Sequence, residues 1–490
     1  MKKRYLVTAA ITAALMAAGA VGGTIAYFTS ESKTTASIEA GVVRMSMEAK
    51  NLKLYSLDVE RTGENAGTFE NGGKATLEDA VLKLEKMTPG DKVEFDLTLE
   101  NHSNVLIKYQ VLHSFANEKA GVENDDDLTY ATAKLSRGLV FSMKDGEGNE
   151  APATMTQLAP TSDAVLPTYH VSVELPVEAG NEYQGASSDV IFNLFAVQAN
   201  KPVEALVVTY DQLVESLASN AKVELMGDVE IPASETLSIP AGADLIGNGH
   251  VISSNGGRGA SAIKLEGNAT IEDVVLNVTD EEVINANGHG FTLKGVEVHA
   301  PSYSDMAYSS STLHEDVVIE NCVLDGGWDA FYDSYFRLDN EHDITIKGST
   351  INTYAYTLNS HCRNLVVEDS TIQGWTSFNN EGTVSFTRCT FKAGSAYNYI
   401  RCYDDTLFEE CKFYDDGAEG VNFQAEIVNG AIGTLNNCQV AARGAELHNI
   451  TDDKATFKDF FTLVNSGYTE VENGSKLIVN GTTFIETDLA

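Results

Sequence analysis

Ile271-Glu-Asp-Val-Val-Leu276 is the first of eight short phrases that decide the fold of this chain. The others are LKGVEV at 293–298, IENCVL at 319–324, IKGSTI at 346–351 and VEDSTI at 367–372, followed by FTRCTF at 386–391, FEECKF at 408–413 and LNNCQV at 435–440. Each begins and ends on an apolar residue, with Val274, Val296, Cys322, Ser349, Ser370, Cys389, Cys411 or Cys438 at the fourth position. Fourth and sixth positions share one face of an extended strand. A recurrence of roughly 20–27 residues marks a solenoid whose units bury their apolar faces only by stacking. Every unit is built from short, β-branched or aromatic-rich segments bounded by Asn, Asp and Gly, which excludes helical repeats. The stretch therefore predicts a parallel β-helix.

The same reading extends outward to the caps. Thr209 with Gln212 forms a capping-box pattern, and Tyr210, Leu213, Val214 and Leu217 share one helical face. A helix there would close the open end of the solenoid, where unpaired strands invite aggregation. Phe457, Phe460, Phe461 and Val464 repeat that spacing and predict a second capping helix, with 468–485 adding final strands. No proline follows Pro301, as expected where nearly every backbone donor enters a ladder.

Upstream the rhythm changes. Val93, Phe95, Leu97 and Leu99 alternate, as do Val105, Ile107, Tyr109 and Val111, then Val171, Val173 and Leu175, then Val190, Phe192 and Leu194. Period-two strands at irregular spacing predict an antiparallel sandwich over 27–200. Residues 201–208 read as a linker and 209–490 as the solenoid. The fold class is all-β.

Lys2, Lys3 and Arg4 precede an apolar, Ala-rich stretch, so 1–26 read as a signal peptide cleaved at Ala26. The expected location is extracellular, in the matrix or at the surface of a Gram-positive-type bacterium. Residues 484–490 carry no apolar tail, so no membrane association is expected after cleavage. The formal net charge is −38. With no basic stripe to displace phosphate counterions, nucleic acid is excluded as a partner. No cofactor is implied. Calcium is the ion such carboxylates would take, with the run Glu123-Asn-Asp-Asp-Asp127 readable as a solvated loop or a calcium site. All six cysteines lie beyond residue 320, four of them in the inward slot, which reads as buried free thiols rather than disulfides.

The N-terminal part resembles the TasA/camelysin group of secreted bacterial proteins. The resemblance rests on Gly22-Gly-Thr-Ile-Ala-Tyr-Phe-Thr29, Thr88-Pro-Gly-Asp-Lys92, Glu100-Asn-His-Ser103 and Asn181-Glu-Tyr-Gln-Gly185, in the family's order over 1–198. It implies a jelly-roll sandwich and self-assembly into fibres by N-terminal strand donation, here from about 28–40. Metalloprotease activity described for some relatives is not carried over, because HExxH is absent and His102, His113 and His170 are scattered. The solenoid resembles right-handed β-helices of the pectin-lyase type, a fold shared by lyases, hydrolases, epimerases and adhesins, so fold alone selects no activity. Gly288-His-Gly290 is similar to a polygalacturonase tripeptide, but the motifs that accompany it there are missing.

Acids, a base and aromatics concentrate at 325–342. Asp325, Asp329 and Asp333 with Arg337 are the candidate catalytic set, since a lyase needs a base beside a carboxylate cluster. Trp328, Tyr332 and Tyr335, with Tyr354 and Trp375 on neighbouring coils, are the carbohydrate-binding candidates. Aromatics also serve as ordinary β-helix core. Two functions remain open: a secreted structural or adhesive protein that projects a glycan-binding face, and a polysaccharide lyase or glycoside hydrolase acting on an acidic glycan. Scattered acids with exposed aromatics favour the first; acids and a base converging in one groove favour the second.

Overall fold

The computed structural model describes residues 43–121, 133–160, 166–219, 222–309, 313–327, 329–333, 342–360, 362–378, 382–393, 399–415, 424–464 and 474–489. The signal region with Ala26, segment 28–40 and the acidic run 123–127 lie outside them. The chain divides into two compact units, Met1–Leu206 and Val207–Ala490.

In the first unit, alternation has placed one face of each strand in a shared core. One antiparallel sheet orders strands Val59–Glu60, Met45–Ser56, Asp91–Asn101, Thr168–Glu174 and Val140–Lys144. The other orders Lys74–Glu78, Val81–Glu85, Ser187–Gln198, Ile107–Lys119 and Thr156–Leu158. Val93, Phe95, Leu97 and Leu99 are buried from one sheet, Val190, Phe192 and Leu194 from the other, and Phe95 meets Phe192 edge-on at 5.2 Å. The two motifs flanking the central strand are turn anchors. Asp91 is buried and its carboxylate accepts from Thr88 N at 2.7 Å and from Ser56 Oγ at 2.6 Å. Asn101 Oδ1 accepts from Ser103 N at 2.9 Å.

The second unit opens on helix α1, Tyr210–Ala218. Thr209 Oγ1 accepts from Gln212 N, and Gln212 Oε1 accepts from Val208 N, so the box closes reciprocally. Parallel coils follow, each with three rungs. The first rungs, such as Ala269–Glu272, Phe291–Lys294 and Val317–Glu320, belong to a 13-stranded sheet. Second rungs such as Val275–Val278 and third rungs such as Glu282–Asn285 run through a 19-stranded sheet. The corner between first and second rungs explains the repeated phrase. Its third position is left-handed in every unit: Asp273, Gly295, Asn321, Gly348, Asp369, Arg388, Glu410 and Asn437, with φ between 51° and 60°. The residue after it turns inward. Ser349 Oγ donates to Lys347 O at 2.9 Å, Ser370 Oγ to Glu368 O at 2.7 Å, and Cys389 Sγ to Thr387 O at 3.4 Å. Cysteine and serine thus close the same tight corner. All six cysteines are buried free thiols, and burial pushes the Cys402 thiol up to about 12. Deeper inside, Phe386 stacks on Phe408 at 5.3 Å and Phe391 on Phe413 at 5.2 Å, one coil above the next.

One capping expectation is corrected. Residues 457–464 form no helix: Phe457 O accepts from Phe460 N and Phe461 N in a single turn, and Phe461–Val464 then pairs in parallel with Gln424–Val428. Spacing of 0, 3, 4 and 7 fits a turn feeding a buried strand as well as a helix. Strands Lys476–Val479 and Thr482–Phe484 pair antiparallel at this end, before the short helix α2, Glu486–Leu489.

Candidate functional site

Ladder pairing forces residues far apart in sequence into columns, because register partners on successive parallel rungs stack about 4.8 Å apart. On the third rungs one such column runs Ser261, Glu282, Asp305, Asp329. Asp329 pairs onward with Tyr356, and Tyr356 with Trp375. Three acids are therefore followed, coil by coil, by two aromatics. The adjacent column holds Lys264, Asn285, Tyr308 and Tyr332, and further along Asn359, Ser377, Arg401 and Glu426 align.

The acid end is electrostatically tense. Glu282 Oε2 accepts from Ser261 Oγ and from Asn285 Nδ2, the latter at 2.8 Å. Asp305 is largely buried, its backbone N–H donating to Glu281 O at 2.7 Å. Burial first, then the charges of Glu281 and Glu282, push its carboxyl up to about 7. At the aromatic end Trp375 is half-buried, and the Arg401 guanidinium lies 5.5 Å from its ring centre. Arg401 Nε donates to Glu426 Oε2 at 2.7 Å, which fixes the cation. The result is a rigid aromatic-and-charge platform.

The candidates read from sequence distribute unevenly. Asp325 lies on a second rung, Val323–Gly326, where its Oδ1 accepts from Asn352 Nδ2 at 2.8 Å. Asp329 and Asp333 lie on a third rung, in register with Asp305 and Ser309. Asp329–Asp333 is itself a rung of the ladder. Tyr332 is the register partner of Tyr308. Trp328, Tyr335 and Arg337 lie outside the described residues, as do the side chains of Asp329, Tyr332, Asp333, Tyr354 and Tyr356. His289 lines a separate shallow groove of about 500 Å³ with Glu266 and Glu315, and Gly290 N donates to Glu315 Oε2 at 3.1 Å. Among the described residues no group of three or more His, Cys, Asp or Glu is arranged to hold a metal ion, and no helix is long and apolar enough to cross a membrane.

Sequence reasoning missed Glu282, Asp305, Arg401 and Glu426. The corner phrase fixes the first two rungs, but Glu282, Asp305 and Asp329 follow the starts of their phrases by 11, 12 and 10 residues. Pairing, which spacing alone does not supply, is what aligns them.

These features define the class: an all-β protein with an antiparallel sandwich unit and a parallel β-helix unit that carries an acid-and-aromatic column. No protein-family model matches the chain, and no curated protein matches it. Among solved structures, the catalytic domain of a GH87 alpha-1,3-glucanase in complex with nigerose overlaps 79% of this chain and 92% of its own at 11% identity, with a TM-score of 0.24. A variant of that domain, also with nigerose, overlaps equally at a TM-score of 0.25. A superposition this loose carries no weight on activity.

Proposed function

We propose that this is an exported structural or adhesive protein whose β-helix binds a polysaccharide along the third-rung column. The observation that supports it most is the Trp375–Arg401–Glu426 platform, whose Trp375 stands in register with the acid column. Aromatic faces hold sugar rings by stacking, while neighbouring carboxylates accept from hydroxyls. In this reading the sandwich is a TasA/camelysin-like module, cleaved after Ala26, that assembles through segment 28–40. Donated strands satisfy edge hydrogen bonds between chains. Among the described residues its long strand Met45–Ser56 meets only the two-residue strand Val59–Glu60 on one side, which is consistent with an edge open to addition.

A second reading, glycoside hydrolysis, is favoured by one observation: Asp305 is held protonated to about 7 beside the hydrogen-bonded carboxylate of Glu282. A carboxyl raised in this way, with a second carboxyl on the neighbouring coil, suits a general acid and its partner. One experiment separates the readings. The intact protein is tested against a polysaccharide panel for retention in affinity electrophoresis and for new reducing ends. Retention that Trp375→Ala weakens, without new reducing ends, supports adhesion. Reducing ends lost in Asp305→Asn support hydrolysis, and neither signal defeats both.

A further inference from the structure

The order of residues along the column says which glycan it suits, an inference that rests on the binding reading above. We propose that the ligand is a linear amine-bearing glycan, such as a de-N-acetylated hexosamine polymer, lying parallel to the solenoid axis. A pyranose unit is about as long as one coil is thick, roughly 4.8 Å. A chain running along the axis would therefore pass Glu282 and Asp305 on successive coils and reach Trp375 three coils further on. A glycan lying along a rung would meet only one coil.

The charge pattern selects among sugars. Along the described part of this face Lys264 Nζ meets Glu266 at 2.8 Å, Arg401 meets Glu426 at 2.7 Å, and the Arg258 guanidinium lies 4.7 Å from the Tyr303 ring centre. The acids are in excess, and Asp305 is crowded by Glu281 and Glu282. A uronate chain would add repulsion to that crowding. An ammonium group beside Asp305 would relieve it, and opposite charge within a few ångströms is what stabilises an ionised carboxylate. The aromatic end then supplies contact area independent of charge.

The test uses the intact protein in calorimetric titrations at pH 6.5 with three oligosaccharides of equal length: oligoglucosamine, oligo-N-acetylglucosamine and oligogalacturonate. Oligoglucosamine is expected to bind, the acetylated oligomer about tenfold more weakly, and the galacturonate not at all. Glu282→Gln and Asp305→Asn should each reduce the preference for the amine roughly three- to tenfold. Trp375→Ala should weaken both bound sugars alike. Should either carboxylate variant fail to fold, raising salt from about 50 to 500 mM on the unaltered protein should weaken the amine oligomer selectively. Equal binding of amine and acetyl oligomers, still sensitive to Trp375→Ala, overturns the amine assignment and leaves the glycan reading standing. Binding of none of the three defeats both.

Discussion

Two residues carry opposite pH signatures, one in each unit. The Asp305 carboxyl, raised to about 7 by burial and by Glu281 and Glu282, binds its proton more tightly folded than unfolded, where about 3.9 applies. Its contribution is therefore fully present below about pH 4 and lost as pH rises to 7. Asp305→Asn is expected to stabilise the β-helix by about 1–2 kcal/mol at pH 8, after discounting solvent screening, with little effect at pH 4. Denaturant melts at both pH values check this, and equal effects at the two would refute it. His113 reverses the sign. It stacks on Phe141 at 3.9 Å, and burial lowers its pKa to about 4. As pH falls from about 6.5 toward 4 the unfolded chain gains a proton that the folded one resists, so the sandwich loses stability over that window. His113→Leu should flatten the acid limb of the sandwich's unfolding curve. A limb unchanged in the variant would assign acid sensitivity to other groups. Neither residue was legible in sequence as anything but one acid or histidine among many, because burial and rung register set their environments.

At the scale of the element, the corner was half legible. The phrases gave the apolar positions and the inward slot, and so predicted stacked rungs and free thiols. They did not reveal that the third position is left-handed, since Arg388 and Glu410 sit there among Asp, Asn and Gly. Left-handed backbone costs an ordinary residue about 1 kcal/mol or more. Arg388 offsets this by donating from Nε at 2.6 Å and from Nη2 at 2.7 Å to Asp369. Glu410 is exposed, and Asn321 and Asn437 occupy its slot in other coils. Glu410→Asn is therefore expected to stabilise by roughly 0.5–1 kcal/mol, whereas Arg388→Asn should bring no gain. Thermal melts rank the two, and a reversed ranking would reject the corner argument. The inward slot gives a companion contrast. Cys389→Ser keeps the bond to Thr387 O that serine makes in other coils and should be nearly neutral, whereas Cys389→Ala leaves a cavity costing about 1–2 kcal/mol.

Across the whole molecule, each unit owns a complete apolar core: the sandwich around Phe95 and Phe192, the solenoid around its stacked phenylalanines. Alternation and repeat announced both cores in the sequence, whereas the third-rung column emerged only when pairing aligned turns of unequal length. Separate cores allow assembly and recognition to be uncoupled. Deleting 27–40 removes the proposed donor segment without touching a described strand, so it should abolish polymers in electron micrographs while leaving glycan binding intact. A chain of 207–490 should fold alone, because helix α1 covers the solenoid's first coils and the Lys476–Val479 and Thr482–Phe484 pair closes the last. It should bind the same oligosaccharides with the same affinity and form no fibres. Fibres from that fragment would move assembly to the β-helix, since parallel rungs left uncapped pair readily end to end. Polymers formed by the deletion variant would exclude strand donation by this segment, and loss of glycan binding in the folded fragment would move recognition off the third-rung column.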